Sequence, residues 1–398
     1  IMLPGAPRPS IEALLHGFMP FKHIDHVHSD AICALTNHPK GREATMEALG
    51  EEWAYVDWIR SGFPLSKIVE KLGDYRGVVL AHHGVITWAE TSEDCLKETL
   101  AVVNKANDYL EAKSVAPKLR RVDKVEPAEV VPRVRGQLSR ATHKVVHVDE
   151  RFLDIVNRED LREVVSAGVS SADHMLRIRP FSVVLDDLSR EGIGLTFDNY
   201  SAAYDEYTAR NMSLLPVGYD LLDSIPRVAL IPGLGAITSG SSLAEAKMVA
   251  EIAFHTHKVA CQVIDSFGAG EPMPDSEIFR FEYWPMELYK LSLKPAPKKF
   301  SARIFIVTGA ASGIGLGVSR HLASLGASLV LADLNEEKLT EVRRQIESDY
   351  GIDAVAVPGD QSDPEVVANT VAAAVSRFGG LDGIVANAGI AVTDSLAD

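Results

Sequence analysis

Apolar and polar positions alternate most regularly in the last third of the chain, from about Arg303 onward. Four short apolar runs are typical of buried strands, and stretches with helical spacing follow the first three, beginning at Gly313, Glu336 and Pro364. The runs are RIFIVTG, SLVLAD, DAVAVPGD and GIVANAG. Strand–helix alternation of this kind predicts a parallel sheet covered by helices on both faces. The pattern therefore predicts the N-terminal half of a doubly wound sheet.

The first two thirds also mix strands and helices, which predicts two further α/β regions. An apolar run, GVVLAHHGVITW, precedes a helix predicted from Ser92 to about Ala112. The middle region has shorter runs, SVVLDD and RVALIPG, and a helix from Ser242 to about Ile264. Ser241 or Ser242 caps that helix, with Glu245 placed as in a capping box.

Two Pro-rich, charged stretches are predicted to be linkers, and they divide the chain into three domains. The stretches are APKLRRVDKVEPAEVVPRVRG and KLSLKPAPKKFSA. The predicted domains are residues 1–115, 116–295 and 296–398.

The first two regions resemble each other at an offset of 151 residues. GVVLAHHGVITWAETSEDC aligns with VALIPGLGAITSGSSLAEA, so that Gly84 falls on Gly235 and a helix follows both segments. Chance is the alternative, because strand–glycine–strand–helix is a common succession. If the duplication is real, His83 has become Leu234, and we expect the second copy to be a degenerate, structural repeat.

Charge and composition exclude several classes of protein. Of the 398 residues, 40 are Lys or Arg and 55 are Asp or Glu, giving a net charge of -15. This argues against nucleic acid as a partner and against a polybasic membrane surface. No apolar run approaches the roughly 20 residues that span a bilayer. Pro4, Pro7 and Pro9 interrupt the first segment, so we expect no signal peptide there. The three cysteines lie far apart, which favours a reducing, cytoplasmic location.

The segment HIDHVHSDA suggests a metal site. His26 and His28 lie two residues apart and point to one face if the segment is a strand. His83, beside Gly84, is a third candidate ligand, and Glu12 could supply a carboxylate. Three imidazoles and a displaceable carboxylate suit a catalytic metal centre with an open position. The alternatives are a surface pair and a packed strand-end histidine.

A second histidine pair has the opposite geometry. His255 and His257 lie in a predicted helix, where residues two apart project about 200° from one another. They cannot converge on one metal, and we predict that both are solvated.

Three segments together resemble the class II aldolase/adducin family: PSIEALLH, DHVHSDAICAL and AHHGVITWAETSEDC. The resemblance implies a Zn²⁺ site made by His26, His28 and His83, with Glu12 as the catalytic proton shuttle. His83 is chosen over His82 because it directly precedes the glycine. The family's phosphate-binding loops lie upstream of the glutamate, and only eleven residues precede Glu12 here.

Gly309, Gly313 and Gly315 lie between a predicted strand and a predicted helix, and the next strand ends in Asp333. This is the context of a dinucleotide site, in which small residues admit the pyrophosphate to a helix N-terminus. Asp333 would accept a hydrogen bond from the ribose 2′-hydroxyl and would repel a 2′-phosphate, which favours NAD over NADP. The alternative is a tight turn without a ligand.

The spacing TGxxxGIG resembles the short-chain dehydrogenase/reductase family and its Rossmann fold. The resemblance adds cofactor-binding positions to the three glycines and Asp333: Ser312, Ile314, Asp360, Asn387, Ala388 and Gly389. The family's catalytic Ser and Tyr-x-x-x-Lys follow the NAG motif, whereas the last tyrosine here is Tyr350. We therefore expect an internal piece of a longer enzyme, with a cofactor-binding half and no dehydrogenase catalytic half.

The order of all these motifs resembles the bifunctional subfamily that fuses a rhamnulose-1-phosphate aldolase to an alcohol (lactaldehyde) dehydrogenase. The resemblance implies cleavage of a 1-phosphoketose to dihydroxyacetone phosphate and lactaldehyde, followed by NAD-dependent oxidation of the aldehyde. The expected partners are a sugar phosphate, an aldehyde and further copies of the chain. Two alternatives stay open: a non-catalytic adducin-like binding module fused to an NAD-binding domain, and an NAD enzyme whose first two regions only build an oligomer.

Overall fold

The computed structural model describes residues 9–293 and 295–389, except for a few side chains within helices. The described residues divide into two compact units. The first unit draws on residues 1–120, 158–181 and 253–282, and the second on residues 121–157, 182–252 and 283–398. These units do not follow the three predicted domains, which stay a prediction.

The first unit contains a four-stranded sheet in the order β1-β4-β3-β2. Its strands are β1 (His23–Val27), β2 (Trp53–Val56), β3 (Gly77–Leu80) and β4 (Gly84–Ala89). The apolar run GVVLAHHGVITW is thus a hairpin, whose turn carries His82 and His83. β4 is antiparallel to both β1 and β3, whereas β2 is parallel to β3.

Helices cover this sheet because apolar side chains lie on both of its faces. Trp53, Val79 and Val85 belong to a buried cluster with residues of α2 (Asp30–Thr36) and α5 (Ser92–Lys113). The helix predicted from Ser92 is confirmed, and Thr91 caps it by accepting from the Asp94 amide at 3.1 Å. The unit's other helices are α1 (Ala13–Phe18), α3 (Gly41–Leu49), α4 (Phe63–Val69), α8 (Leu161–Ser166), α9 (Ala172–Ile178) and α12 (Asp275–Glu282).

The second unit contains a sheet of the same design, in the order β5-β8-β7-β6. Its strands are β5 (Val145–Asp149), β6 (Val183–Val184), β7 (Val228–Ile231) and β8 (Gly235–Gly240). Gly77 pairs with Thr87 across the first hairpin, and Val228 pairs with Thr238 across the second. The offset of 151 residues that relates the two sequences therefore also relates the register of the two hairpins.

The third sheet belongs to the second unit and is wholly parallel, in the order β11-β10-β9-β12. Its strands are β9 (Ile304–Thr308), β10 (Ser328–Asp333), β11 (Ala354–Pro358) and β12 (Gly383–Val385). The helices between them are α14 (Gly313–Ser324), α15 (Glu336–Tyr350) and α16 (Pro364–Phe378), which begin where the sequence predicted. The predicted fold class, α/β regions followed by a Rossmann sheet, is confirmed.

The remaining helices are α6 (Pro127–Leu138), α7 (Leu153–Val156), α10 (Arg190–Asn211), α11 (Leu243–Phe267) and α13 (Pro285–Ser292). The capping of α11 follows the predicted capping box closely. Ser242 Oγ accepts from the Glu245 amide at 3.2 Å, and Glu245 Oε2 accepts from the Ser241 amide at 2.7 Å.

The first predicted linker is wrong in its second half, because residues 127–138 form helix α6. Pro127 occupies the first turn, where a missing N–H costs nothing, and four apolar side chains line one buried face. Arg135 of this helix is also buried. It donates to Asp382 at 2.6 and 3.1 Å, to the Lys144 carbonyl at 2.7 Å and to the Ala302 carbonyl at 3.2 Å.

One apolar core joins the second repeat to the parallel sheet within the second unit. Val145 and Leu243 are buried in a cluster with Ile304, Val330 and Phe378. Arg135 thus lies at the edge of a continuous core rather than in a flexible connection. Among the described residues, no helix combines the length and apolar character needed to cross a bilayer.

Candidate functional site: a metal centre and a dinucleotide cradle

Glu12 directly precedes α1, and its amide donates to Ser10 Oγ at 3.2 Å. His26 lies near the end of β1, and His28 follows two residues later, past the strand end. His83 is the last residue of the β3–β4 turn. Because β1 pairs with β4, the end of β1 lies beside this turn. The pairing of β1 with β4 therefore brings His83, which is distant in sequence, beside His26 and His28.

The four predicted side chains converge. Glu12, His26, His28 and His83 each offer one nitrogen or oxygen atom, and all four atoms lie within 4.8 Å of one another. The three imidazole centroids are 4.7–5.0 Å apart. Glu12 Oε1 lies 3.1 Å from His83 Nε2, and Glu12 Oε2 lies 3.4 Å from His26 Nδ1.

The donor set suits a divalent transition metal. Nε2 of His26 is buried and has no hydrogen-bond partner among the described residues, which leaves it able to bind an ion. Three imidazoles and one carboxylate match the donors that zinc prefers. The role of these residues as metal ligands stays a prediction.

Electrostatics favour the protonation states that metal binding needs. Burial opposes ionisation of Glu12, but hydrogen bonds to His26 and His83 outweigh it and hold the carboxyl pKa well below its ordinary value. Burial, reinforced by the other two imidazoles, lowers the pKa of His28 to about 3. A neutral imidazole has the lone pair that a metal requires.

The turn that carries His83 is held tightly. Cys33 Sγ contacts the His83 carbonyl at 3.6 Å, and Thr36 Oγ1 accepts from the His82 amide at 3.2 Å. His82 adopts a positive φ of 53°. A Cβ on Gly84 would lie 2.3 Å from the Val27 carbonyl oxygen and 3.0 Å from His28 Cδ2. Only glycine lets β1 approach the turn closely enough to place His28.

Sequence reasoning missed Ser61, whose hydroxyl donates to Glu12 Oε1 at 3.3 Å. No motif contains it, because it lies in a loop 49 residues from Glu12. The prediction that His257 is solvated is wrong. This side chain is buried and bonds the Ala253 carbonyl at 2.7 Å, one turn back along α11. His255 lies 2.9 Å from an Asp30 carboxylate oxygen.

The corresponding positions of the second sheet carry no histidine. His26 pairs with Ile86 in the first sheet, and Val148 pairs with Ile237 in the second, so Val148 occupies the place of His26. By the same register Glu150 takes the place of His28, and Leu234, which is buried, takes that of His83.

The dinucleotide motif forms a tight strand–turn–helix. Gly309 and Gly313 have positive φ values of 64° and 52°. A Cβ on Gly315 would lie 2.1 Å from the Gly309 carbonyl oxygen, so this position requires glycine. A Cβ on Gly313 would enter open space, where the turn could admit a ligand. Ser312 precedes α14, and Ile314 is 78% exposed in its first turn.

The NAG segment packs against this turn. Asn387 Nδ2 donates to the Thr308 carbonyl at 3.1 Å, and the amides of Asn387 and Ala388 donate to Thr308 Oγ1 at 3.0 and 2.9 Å. Gly389 is exposed and is the last residue that the structure describes. Thr308 was not predicted as a site residue, although it belongs to the TGxxxGIG motif.

Two acidic residues stand at the ends of the parallel strands. Asp333 ends β10 and accepts from the Ala311 amide at 3.0 Å, which ties it to the glycine turn. Asp360 follows β11 and accepts from the Ser362 amide at 2.9 Å, a hydrogen bond that lowers its pKa. All ten predicted cofactor-binding residues lie at the carboxyl ends of β9–β12, in the turns that follow or in the first turn of α14, where doubly wound sheets bind ligands. Their roles stay predictions.

Three family models match the chain. The class II aldolase and adducin N-terminal domain matches residues 2–110, the second domain of class II aldolase matches residues 125–291, and the short-chain dehydrogenase matches residues 303–398. The chain therefore carries class II aldolase domains fused to a short-chain dehydrogenase domain.

Known proteins are similar to nearly the whole chain or to parts of it. An uncharacterized oxidoreductase of Bacillus subtilis (strain 168), YuxG, is 30% identical over 416 residues, which cover 97% of this chain and 59% of that protein. Cis-4-hydroxycyclohexanecarboxylate dehydrogenase of Sinomonas cyclohexanicum is 45% identical over 92 residues, 23% of this chain and 36% of its own. The N-terminal class II aldolase domain of a conserved protein from Thermoplasma acidophilum is 31% identical over 27% of this chain and 51% of its own, with a TM-score of 0.26. The chain thus spans less than two thirds of these relatives.

Proposed function

We propose that the first aldolase domain is a zinc-dependent aldolase that cleaves a 1-phosphoketose, rhamnulose 1-phosphate, to dihydroxyacetone phosphate and lactaldehyde. The convergence of Glu12, His26, His28 and His83 within 4.8 Å carries the proposal. Retro-aldol cleavage must stabilise an enediolate, and a zinc ion held by the three imidazoles would supply Lewis-acid stabilisation of that charge.

Glu12 is suited to move the proton. Its carboxylate is ionised at neutral pH, as carboxyl groups ordinarily are, so it can accept a proton from the substrate hydroxyl whose neighbouring carbon–carbon bond breaks. The same carboxyl can return that proton to the enediolate carbon, which balances the reaction. Ser61 donates to Oε1 and helps to orient the group.

The dehydrogenase domain would bind NAD and oxidise the aldehyde product. The open space beside Gly313 and the close contact between Gly309 and Gly315 support binding of the pyrophosphate. The Asp333 carboxylate supports NAD over NADP. In the family, the catalytic Ser and Tyr-x-x-x-Lys follow the NAG motif. We therefore propose hydride transfer for a complete dehydrogenase domain of this kind and cofactor binding for the residues described above.

The proposed setting is cytoplasmic carbohydrate catabolism by a homo-oligomer, without nucleic acid or membrane partners. A non-catalytic adducin-like module would have no need for four converging donors, and their retention supports catalysis over that alternative.

The test measures metal and cleavage together. The purified chain should hold about one zinc ion per molecule by mass spectrometry, and His28→Ala should lose it. The matched control is His321→Ala, because His321 is exposed on α14. Release of dihydroxyacetone phosphate should follow metal content. A chain that holds no zinc, with His28→Ala changing neither metal content nor cleavage, refutes the aldolase.

A second measurement separates the two halves. Substituting alanine for both Gly313 and Gly315 should abolish NAD binding by calorimetry and leave zinc binding intact. Cleavage that survives this change counts against the alternative in which the first two regions only build an oligomer.

A further inference from the structure

His174 of α9 is a half-buried imidazole of the first unit that the proposed cleavage leaves unused. Its Nδ1 lies 2.6 Å from Ser170 Oγ and 2.8 Å from Thr256 Oγ1. Both of these residues are buried, Ser170 being 2% exposed and Thr256 3%. The Ser170 carbonyl in turn accepts from Asn37 Nδ2 at 2.7 Å. The ring of His174 is therefore held in place from its Nδ1 side.

The other nitrogen of this ring is available to a ligand. His174 Nε2 has no hydrogen-bond partner among the described residues and, unlike Nε2 of His26, it is accessible to solvent. Burial lowers the pKa of His174 to about 4, so the ring is neutral at pH 7. A neutral imidazole has one N–H group and one lone pair, and a hydroxyl group beside Nδ1 can satisfy either. Nε2 can therefore donate a hydrogen bond or accept one.

Helices α2 and α11 connect this ring to the candidate metal donors. Asp30 begins α2, two residues after His28, and one of its carboxylate oxygens lies 2.9 Å from His255 Nδ1. On α11, His255 is followed directly by Thr256, which contacts His174. Burial, the other two imidazoles of the centre and the charge of His174 all lower the pKa of His28. His174 therefore lies near the donor set, on the side of His28.

We propose that His174 is a substrate-binding residue of the metal centre, and that its Nε2 forms a hydrogen bond with a hydroxyl group of the sugar chain. Glu12 precedes α1 and contacts His26 and His83, whereas His174 belongs to α9, so the two residues hold different parts of one substrate. A neutral imidazole suits a hydroxyl group better than a phosphate group, which favours cations and helix N-termini. This role rests on the proposed aldolase and adds to it a residue that selects the sugar.

The test uses the zinc-loaded full chain and two substitutions that separate the two ring nitrogens. The amide of asparagine reaches about as far as Nδ1 of histidine, and the amide of glutamine about as far as Nε2. The probe is L-rhamnitol 1-phosphate, which has no carbonyl group and cannot be cleaved. By calorimetry His174→Asn should raise its Kd about fivefold, the effect of losing one hydrogen bond, and His174→Gln should stay within about twofold of the wild type. The KM for rhamnulose 1-phosphate should follow the Kd, with zinc content constant. His321→Asn, the same change at an exposed site, should alter neither.

Three results overturn this role: no saturable binding of the probe by the zinc-loaded wild type, an unchanged Kd in His174→Asn, or equal losses in His174→Asn and His174→Gln, which would show that the ring only supports the fold. If His174→Asn does not fold, Thr256→Val takes its place. Loss of one hydroxyl group that holds the ring should also raise the Kd, and an unchanged Kd again overturns the role. With zinc bound to the wild type, each of these failures leaves the aldolase standing, whereas a wild type that holds no zinc refutes both proposals.

Discussion

Replacing Gly84 with alanine should damage the candidate metal centre without replacing any of its four side chains. The added Cβ would lie 2.3 Å from the Val27 carbonyl oxygen and 3.0 Å from His28 Cδ2. Because the first contact is with backbone, no side-chain rotation can relieve it. The end of β1 must move away from the turn by about 1 Å, and His28 must move with it.

The close contact at Gly84 sets the expected size of the loss in stability and of the loss in zinc affinity. Overpacking of this kind costs about 1–3 kcal/mol of unfolding free energy. Displacing a metal ligand through its support typically weakens metal binding about 10–100-fold. We therefore expect Gly84→Ala to lower stability modestly and zinc affinity strongly.

The second repeat supplies a matched control. A Cβ on Gly235, the residue 151 positions later, would lie 2.3 Å from the Asp149 carbonyl oxygen. Its φ of 113° adds strain for alanine. Gly235→Ala should thus cost at least as much stability, but it should leave zinc affinity unchanged because none of the four candidate metal donors lies at that turn.

Zinc affinity is measured by competition with a fluorescent chelator, and stability by urea unfolding of the metal-free chain. Unchanged zinc affinity in Gly84→Ala, with the expected loss of stability, would show that close approach of β1 does not position His28. An equal loss of affinity in Gly235→Ala would show that the effect is general destabilisation.

Three further predictions concern buried charge and cofactor choice. Arg135→Met leaves the Asp382 carboxylate without its cationic partner and should lower the free energy of unfolding in urea by about 3–5 kcal/mol. A double variant that adds Asp382→Asn should recover part of this stability. If it recovers none, the ion pair between Arg135 and Asp382 is not the cause of the loss. Glu12→Gln should destabilise the metal-free chain at neutral pH. Because the pKa of Glu12 is lowered from 4.5 on folding, the gap to the wild type should narrow as the pH falls below that value, and a gap that widens on acidification contradicts the carboxylate's role. Asp333→Asn should shift the ratio of the Kd for NADP to that for NAD by about tenfold toward NADP, and an unchanged ratio would remove Asp333 from the ribose site.

The sequence predicted the parallel sheet well because each of its strands and helices has a local signal. Gly313, Glu336 and Pro364 all begin helices where the pattern placed them. The four candidate metal donors were predicted from the alternation of side chains along a strand and from the family resemblance. The pairing of β1 with β4 brings His83 beside His26 and His28, which the alternation along one strand could not predict. Ser61 escaped prediction because a lone loop serine reaches Glu12 only through tertiary structure.

The errors have physical causes too. The second half of the linker predicted over residues 116–136 is helical: its prolines and charges suggest a loop, yet Pro127 begins the helix and tertiary packing tolerates Pro132 within it. For His257 the helical geometry was right and the exposure was wrong. A histidine can be buried when a backbone carbonyl satisfies one ring nitrogen, and polarity of the side chain does not reveal that.

The core shared by Val145, Leu243, Ile304 and Phe378 affects how this protein can be dissected. A gene truncation between residues 291 and 303 separates the family segments, but it leaves Ile304 and Phe378 without part of their apolar packing and Asp382 without Arg135. The second aldolase repeat and the dehydrogenase sheet should therefore melt as one cooperative transition, and a dehydrogenase segment expressed alone should expose this apolar surface and self-associate. In this chain the second aldolase domain would serve as the dehydrogenase domain's folding partner.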